Sequence, residues 1–103
     1  MAAPDEVLER ILAQPLTYIK DKQSRAEQGI SRTFEREQEA DGLQPLSVQL
    51  GERSRRKIRR EVDALRHARA VGADDDQVRS LLRRLVEARA EIPAPLPRLK
   101  VAA

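Results

Sequence analysis

The scarcity of bulky apolar side chains constrains this chain more than any other feature. Leu, Ile, Val and Phe together number 25 among 103 residues, and the only aromatic residues are Tyr18 and Phe34. That share lies just above the roughly one-fifth at which disorder becomes the default. Such a chain can bury stripes but not a thick core, so it should fold best against a partner or a second copy of itself. Its length fits one small domain with tails and leaves no room for two cores.

The remaining composition is that of helices. Ala, Leu, Arg, Glu and Gln dominate, and no strict alternation bounded by hairpin turn signals stands out, so the expected fold class is all-α. A short helix is expected over Pro4–Ala13, with Val7, Leu8, Ile11 and Leu12 on one face and a break at Pro15. A long surface helix follows over Leu16–Ala40, its thin stripe made of Ile19, Ala26, Ile30 and Phe34, and Gly42 ends this N-terminal segment of residues 1–42. Residues 43–47 read as a linker.

An antiparallel helical hairpin is expected over 48–92, stopped midway by Gly72. Ile58, Val62 and Leu65 of its first helix should zip against Val78, Leu82 and Leu85 of its second. Asp74, with Gln77 three residues on, has the pattern of a capping box. Beyond it, Pro93, Pro95 and Pro97 at alternate positions forbid a helix and favour an extended arm over 93–103, in which Leu96, Arg98, Leu99 and Val101 would touch a neighbour. No PxxP pair is present, so an SH3-type ligand is not supported.

Several functions lose support at this level. Without Cys there is no disulfide, thiolate zinc site or thiol nucleophile, which suits a cytoplasmic or other reducing interior, a virion or an organelle matrix. No apolar run reaches the roughly 18 residues of a membrane span. Asp5, Glu6 and Glu9 ahead of any basic cluster are at odds with a secretory leader. Asp74-Asp75-Asp76 lacks the spacing of a calcium loop, His67 has no second ligand or nucleophile near it, and the four glycines form no phosphate loop. No enzyme, metal or cofactor is therefore expected.

Charge is distributed unevenly. Residues 1–42 carry 6 basic and 9 acidic side chains, residues 43–72 carry 8 and 3, and residues 73–103 carry 6 and 5. The excess falls on Arg53, Arg55, Arg56, Lys57, Arg59 and Arg60. On a helix, Arg55/Arg59 and Arg56/Arg60 would be repelling neighbours needing an outside anion, either phosphates or an acidic protein surface. Aromatic stacking platforms are lacking, and no helix-turn-helix or zinc-finger spacing is recognisable.

The sequence thus favours a small non-catalytic helical subunit of a larger assembly, such as a phage particle or a ribonucleoprotein complex, held by its stripes and arm to protein neighbours. Its alternatives are a nucleic-acid-binding regulatory protein, dimeric, using Arg53–Arg60, and an inhibitor or adaptor for an acidic surface. Replacing Leu82 by Asp should melt much of the helicity seen by circular dichroism; an unchanged spectrum would rule out its place in a helical core.

Overall fold

The computed structural model describes residues 4–90, apart from the side chains of Pro4, Asp5, Val7 and Leu8. The expected arm, with Leu96, Arg98, Leu99 and Val101, lies outside the described residues.

The fold is α+β, not all-α. In chain order it comprises α1 (Pro4–Leu12), β1 (Tyr18–Lys20), α2 (Asp21–Gln28), α3 (Arg32–Ala40), β2 (Val48–Gly51), β3 (Ser54–Ile58), α4 (Arg59–Ala70) and α5 (Asp75–Arg89). The three strands form one antiparallel sheet in the order β1-β3-β2. Among the described residues no helix is long and apolar enough to cross a membrane.

Two of the expected helices are replaced. The long helix over 16–40 is a strand followed by two helices. Thr17-Tyr18-Ile19 is a β-branched and aromatic run beyond Pro15, and it takes the extended form that suits it. Gly29 then ends α2 in the left-handed conformation at φ +69°, and Ser31 starts α3 by accepting a hydrogen bond from the Phe34 N–H at 3.0 Å. The proposed stripe dissolves accordingly: Ile19 is buried in the sheet, whereas Ala26 and Phe34 are exposed.

The second replacement concerns residues 48–58, expected as the first turns of the hairpin's leading helix. They form a β-hairpin turning at Glu52-Arg53, with Gly51 opposite Ser54 and an irregularity at Leu50. Ser54–Ile58 contains little that favours a strand, but β3 is the central strand and pairs on both sides. Tertiary pairing therefore overrides propensity. The pairing with β1 continues as the Arg59 N–H donates to the Thr17 carbonyl at 2.9 Å, and α4 begins at that point.

What remains of the expected hairpin is α4 against α5. Leu65, Val78, Leu82 and Leu85 are buried together with Ala64, and Ile11 of α1 and Leu43 complete the cluster. Val62 is fully buried nearby, and Ile58 is buried at the end of β3 rather than on a helix. Asp74 and Gln77 form a reciprocal capping box that starts α5. The segment read as a linker is not loose, since Leu43, Gln44 and Pro45 are buried.

Gly29 is the pivot between α2 and α3. A Cβ there would meet no atom within 4 Å, so the penalty for a side chain is conformational alone. Gly29→Ala should lower stability by about 1 kcal/mol, read as an earlier midpoint in urea at unchanged slope.

Candidate nucleic-acid interface

The basic run divides along the geometry of β3 and α4. Alternation along the strand sends Arg55 and Lys57 to one face and Arg56 and Ile58 to the other. The repelling helical pairs Arg55/Arg59 and Arg56/Arg60 therefore do not exist. Three of the six cations serve the fold itself.

Lys57 is fully buried and shares its sheet face with Ile19, its register partner. Its ammonium donates to Glu39 of α3 at 2.7 Å and to the Pro45 carbonyl, with Glu35 Oε2 at 3.9 Å. Arg25 of α2 donates to the other Glu35 oxygen at 3.1 Å. One buried lysine thus binds α3 to the sheet, and Arg25 binds α2 to α3. Buried charges are tolerated only in such company.

Arg59 makes a two-pronged contact with Glu27 of α2, at 2.6 and 3.1 Å, and lies 3.6 Å from Asp63. The hydrogen bond from Arg59 holds the Glu27 carboxyl below its ordinary range. Arg60 is buried and donates to the Leu12 carbonyl at 3.0 Å, joining α4 to α1. Arg89, absent from the sequence-derived set, does similar work by gripping buried Glu61 at 2.5 and 2.7 Å and the Leu46 carbonyl at 2.9 Å.

Arg53, Arg55 and Arg56 remain on the β-hairpin. Arg53 and Arg55 are exposed, and Arg56 donates to the Arg55 carbonyl at 2.9 Å. The structure adds two cations that sequence reasoning missed, Arg32 and Arg36 of α3. They lie one helical turn apart and are exposed. Among the described residues, the side chains of Arg32, Arg36 and Arg55 take part in no hydrogen bond or ion pair. The missed signal was Gly29 followed by Ser31, a helix stop and a helix start two residues apart.

Residues Gly29-Ile30-Ser31 separate α2 from α3, and α3 presents Arg32, Thr33, Arg36 and Glu37 to solvent. The β2–β3 hairpin follows α3 in the chain and brings Arg55 to the same groove as α3. A groove of about 370 Å³ between them is lined by Asp21, Arg25, Arg32, Glu35, Arg36, Glu39 and Arg55.

His67 is exposed on α4, and among the described residues no three His, Cys, Asp or Glu side chains are placed to hold a metal. Asp74 is committed to its cap, while Asp75 and Asp76 pair with Arg69 and Arg79. No protein family, characterised protein or solved structure matches the chain.

Removing the Lys57 ammonium would leave half-buried Glu39 without its partner and buried Glu35 with Arg25 alone. Lys57→Met should cost roughly 3–5 kcal/mol in chemical denaturation, and adding Glu39→Gln should recover part of that loss. A full additive loss in the double variant would show that the two groups are not coupled.

Proposed function

We propose that this protein is a non-catalytic regulatory protein that binds duplex DNA, with α3 in the major groove and the β2–β3 hairpin along the adjacent backbone. The observation that carries the reading is α3 itself. It follows α2 across a short turn, it is docked by charge through Glu35 and Glu39, and it offers Arg32 and Arg36, exposed and unpaired. A helix about 10–12 Å across fits the major groove of B-form DNA, roughly 12 Å wide. The deep, narrow major groove of A-form RNA does not admit it.

Arg forks suit guanine edges and phosphate oxygens alike, and Thr33 can meet a thymine methyl group. A nine-residue helix is about 13 Å long, which corresponds to about four base pairs. One chain therefore reads a short half-site, and a symmetric site would call for two. Single strands are a poorer fit, because Tyr18 and Phe34 alone cannot supply a stacking platform. The lack of cysteine suits work in a reducing interior such as the cytoplasm.

The alternative is a subunit of a larger assembly held by apolar stripes and the C-terminal arm: Ile11 and Ile19 of those stripes are buried within the chain, Phe34 is exposed, and the arm lies outside the described residues.

Fluorescence anisotropy with labelled duplex DNA, single-stranded DNA and duplex RNA across a salt series tests the proposal. Duplex DNA should bind most tightly, with a logarithmic salt slope near −3.6 for about four phosphates. Arg36→Ala should weaken binding about tenfold or more without changing thermal stability. Flat salt dependence, or a preference for single strands, would overturn the reading.

A further inference from the structure

The groove between α3 and β3 combines an uncompensated charge with a shape that holds it in place. Its acids are largely spoken for. Glu35 is met by Arg25 at 3.1 Å, Glu39 by Lys57 at 2.7 Å, and both Asp21 oxygens accept from the Ser47 hydroxyl, at 3.0 and 2.9 Å. The lining holds four cations, Arg25, Arg32, Arg36 and Arg55, against the three acids, and fully buried Lys57 adds a further positive charge behind them. Arg32, Arg36 and Arg55 are the three side chains of the lining without internal partners. The oxygens that would oppose an incoming anion are those of Asp21, whose partner Ser47 is neutral, and Glu35 Oε2, buried and without a hydrogen bond, whose charge Lys57 at 3.9 Å offsets.

The three arginines are held in relation to one another by the frame beneath them. Arg32 and Arg36 lie one turn apart on α3 and so face the same side. Arg55 is two residues from Lys57 on β3, hence on the same sheet face, and Lys57 is bonded to α3 through Glu39. Three like charges gathered around one groove repel unless an anion joins them, and guanidinium forks match the oxygens of phosphate.

We infer that this groove is a phosphate seat, in which Arg32 and Arg36 from the helix and Arg55 from the hairpin close on a single phosphate group. The inference rests on the duplex-DNA reading for its source: a backbone phosphodiester beside the helix as α3 enters the groove. Free phosphate offers the same chemistry and is the other source.

Two measurements on the full chain separate these cases. The first is the salt slope for labelled duplex DNA with the wild type, Arg32→Gln, Arg55→Gln and the double variant, with Arg83→Gln on α5 as control. The second is titration with inorganic phosphate, followed by NMR at the arginine Nε groups. Each groove variant should reduce the slope by about 1, the double variant by about 1 as well because one phosphate is shared, and the control by nothing. A loss of about 2 in the double variant would mean two separate contacts and would overturn the seat. An Arg55→Gln protein that binds DNA as the wild type does would also overturn it, leaving the DNA reading intact. If duplex DNA fails to bind while millimolar phosphate shifts the groove arginines, the seat holds free phosphate and the DNA reading falls. No response in either measurement would overturn both.

Discussion

The buried ammonium of Lys57 is the interaction on which the arrangement of this protein depends. It stands on the central strand, one residue before its end, and reaches Glu39, Glu35 and the Pro45 carbonyl at once. Three parts of the chain, β3, α3 and the 43–47 segment, therefore share one point of attachment. Its geometry also explains why α3 can be so polar: the helix offers a single bulky apolar side chain, Phe34, and that residue is 44% exposed. Direction comes with the attachment, because hydrogen bonds to a charge fix orientation in a way that apolar contact does not.

The molecule consequently has two interiors of different chemistry. One is apolar, formed by Ile11, Leu43, Ala64, Leu65, Val78, Leu82 and Leu85 from α1, α4, α5 and the segment after α3. The other is polar, built from Lys57, Glu35, Glu39 and Arg25, with Gln28 and Gln44 exchanging amide hydrogen bonds at 3.2 and 2.7 Å and Ser24 buried beside them. Long cations join the two: Arg59 ties α4 to α2, and Arg79 ties α5 to the Asp41 carbonyl at the end of α3. This division accommodates a chain in which 36% of residues are charged. Of the charges without internal partners, Arg32, Arg36 and Arg55 line one groove beside α3.

How much of this was legible depends on how local each cause is. The Asp74–Gln77 cap and the Val78, Leu82 and Leu85 face of α5 act within one or two turns, so the sequence shows them directly. The sheet is different. Leu46, Val48 and Leu50 do alternate before Gly51, and Thr17-Tyr18-Ile19 is a strand-like run, but both are short signals set among strong helix formers. The central strand Ser54–Ile58 offers no signal of its own, since its extended form is imposed by β1 and β2. In the site, Arg53, Arg55 and Arg56 were readable as solvent-facing cations, whereas Lys57, Arg59 and Arg60 were not separable from them. Their partners Glu39, Glu27 and Leu12 stand 18, 32 and 48 residues away.

The outer side of α3 has a consequence for how such a protein can change over generations. Thr33, Arg36, Glu37 and Ala40 make no side-chain hydrogen bond or ion pair with the rest of the described chain, while Glu35 and Glu39 on the inner side hold the helix in place. Mutation at the outer positions is thus nearly free of structural penalty, and mutation at the inner ones is not. A lineage carrying this scaffold can rewrite what α3 meets by a few substitutions in one helix and leave the frame untouched.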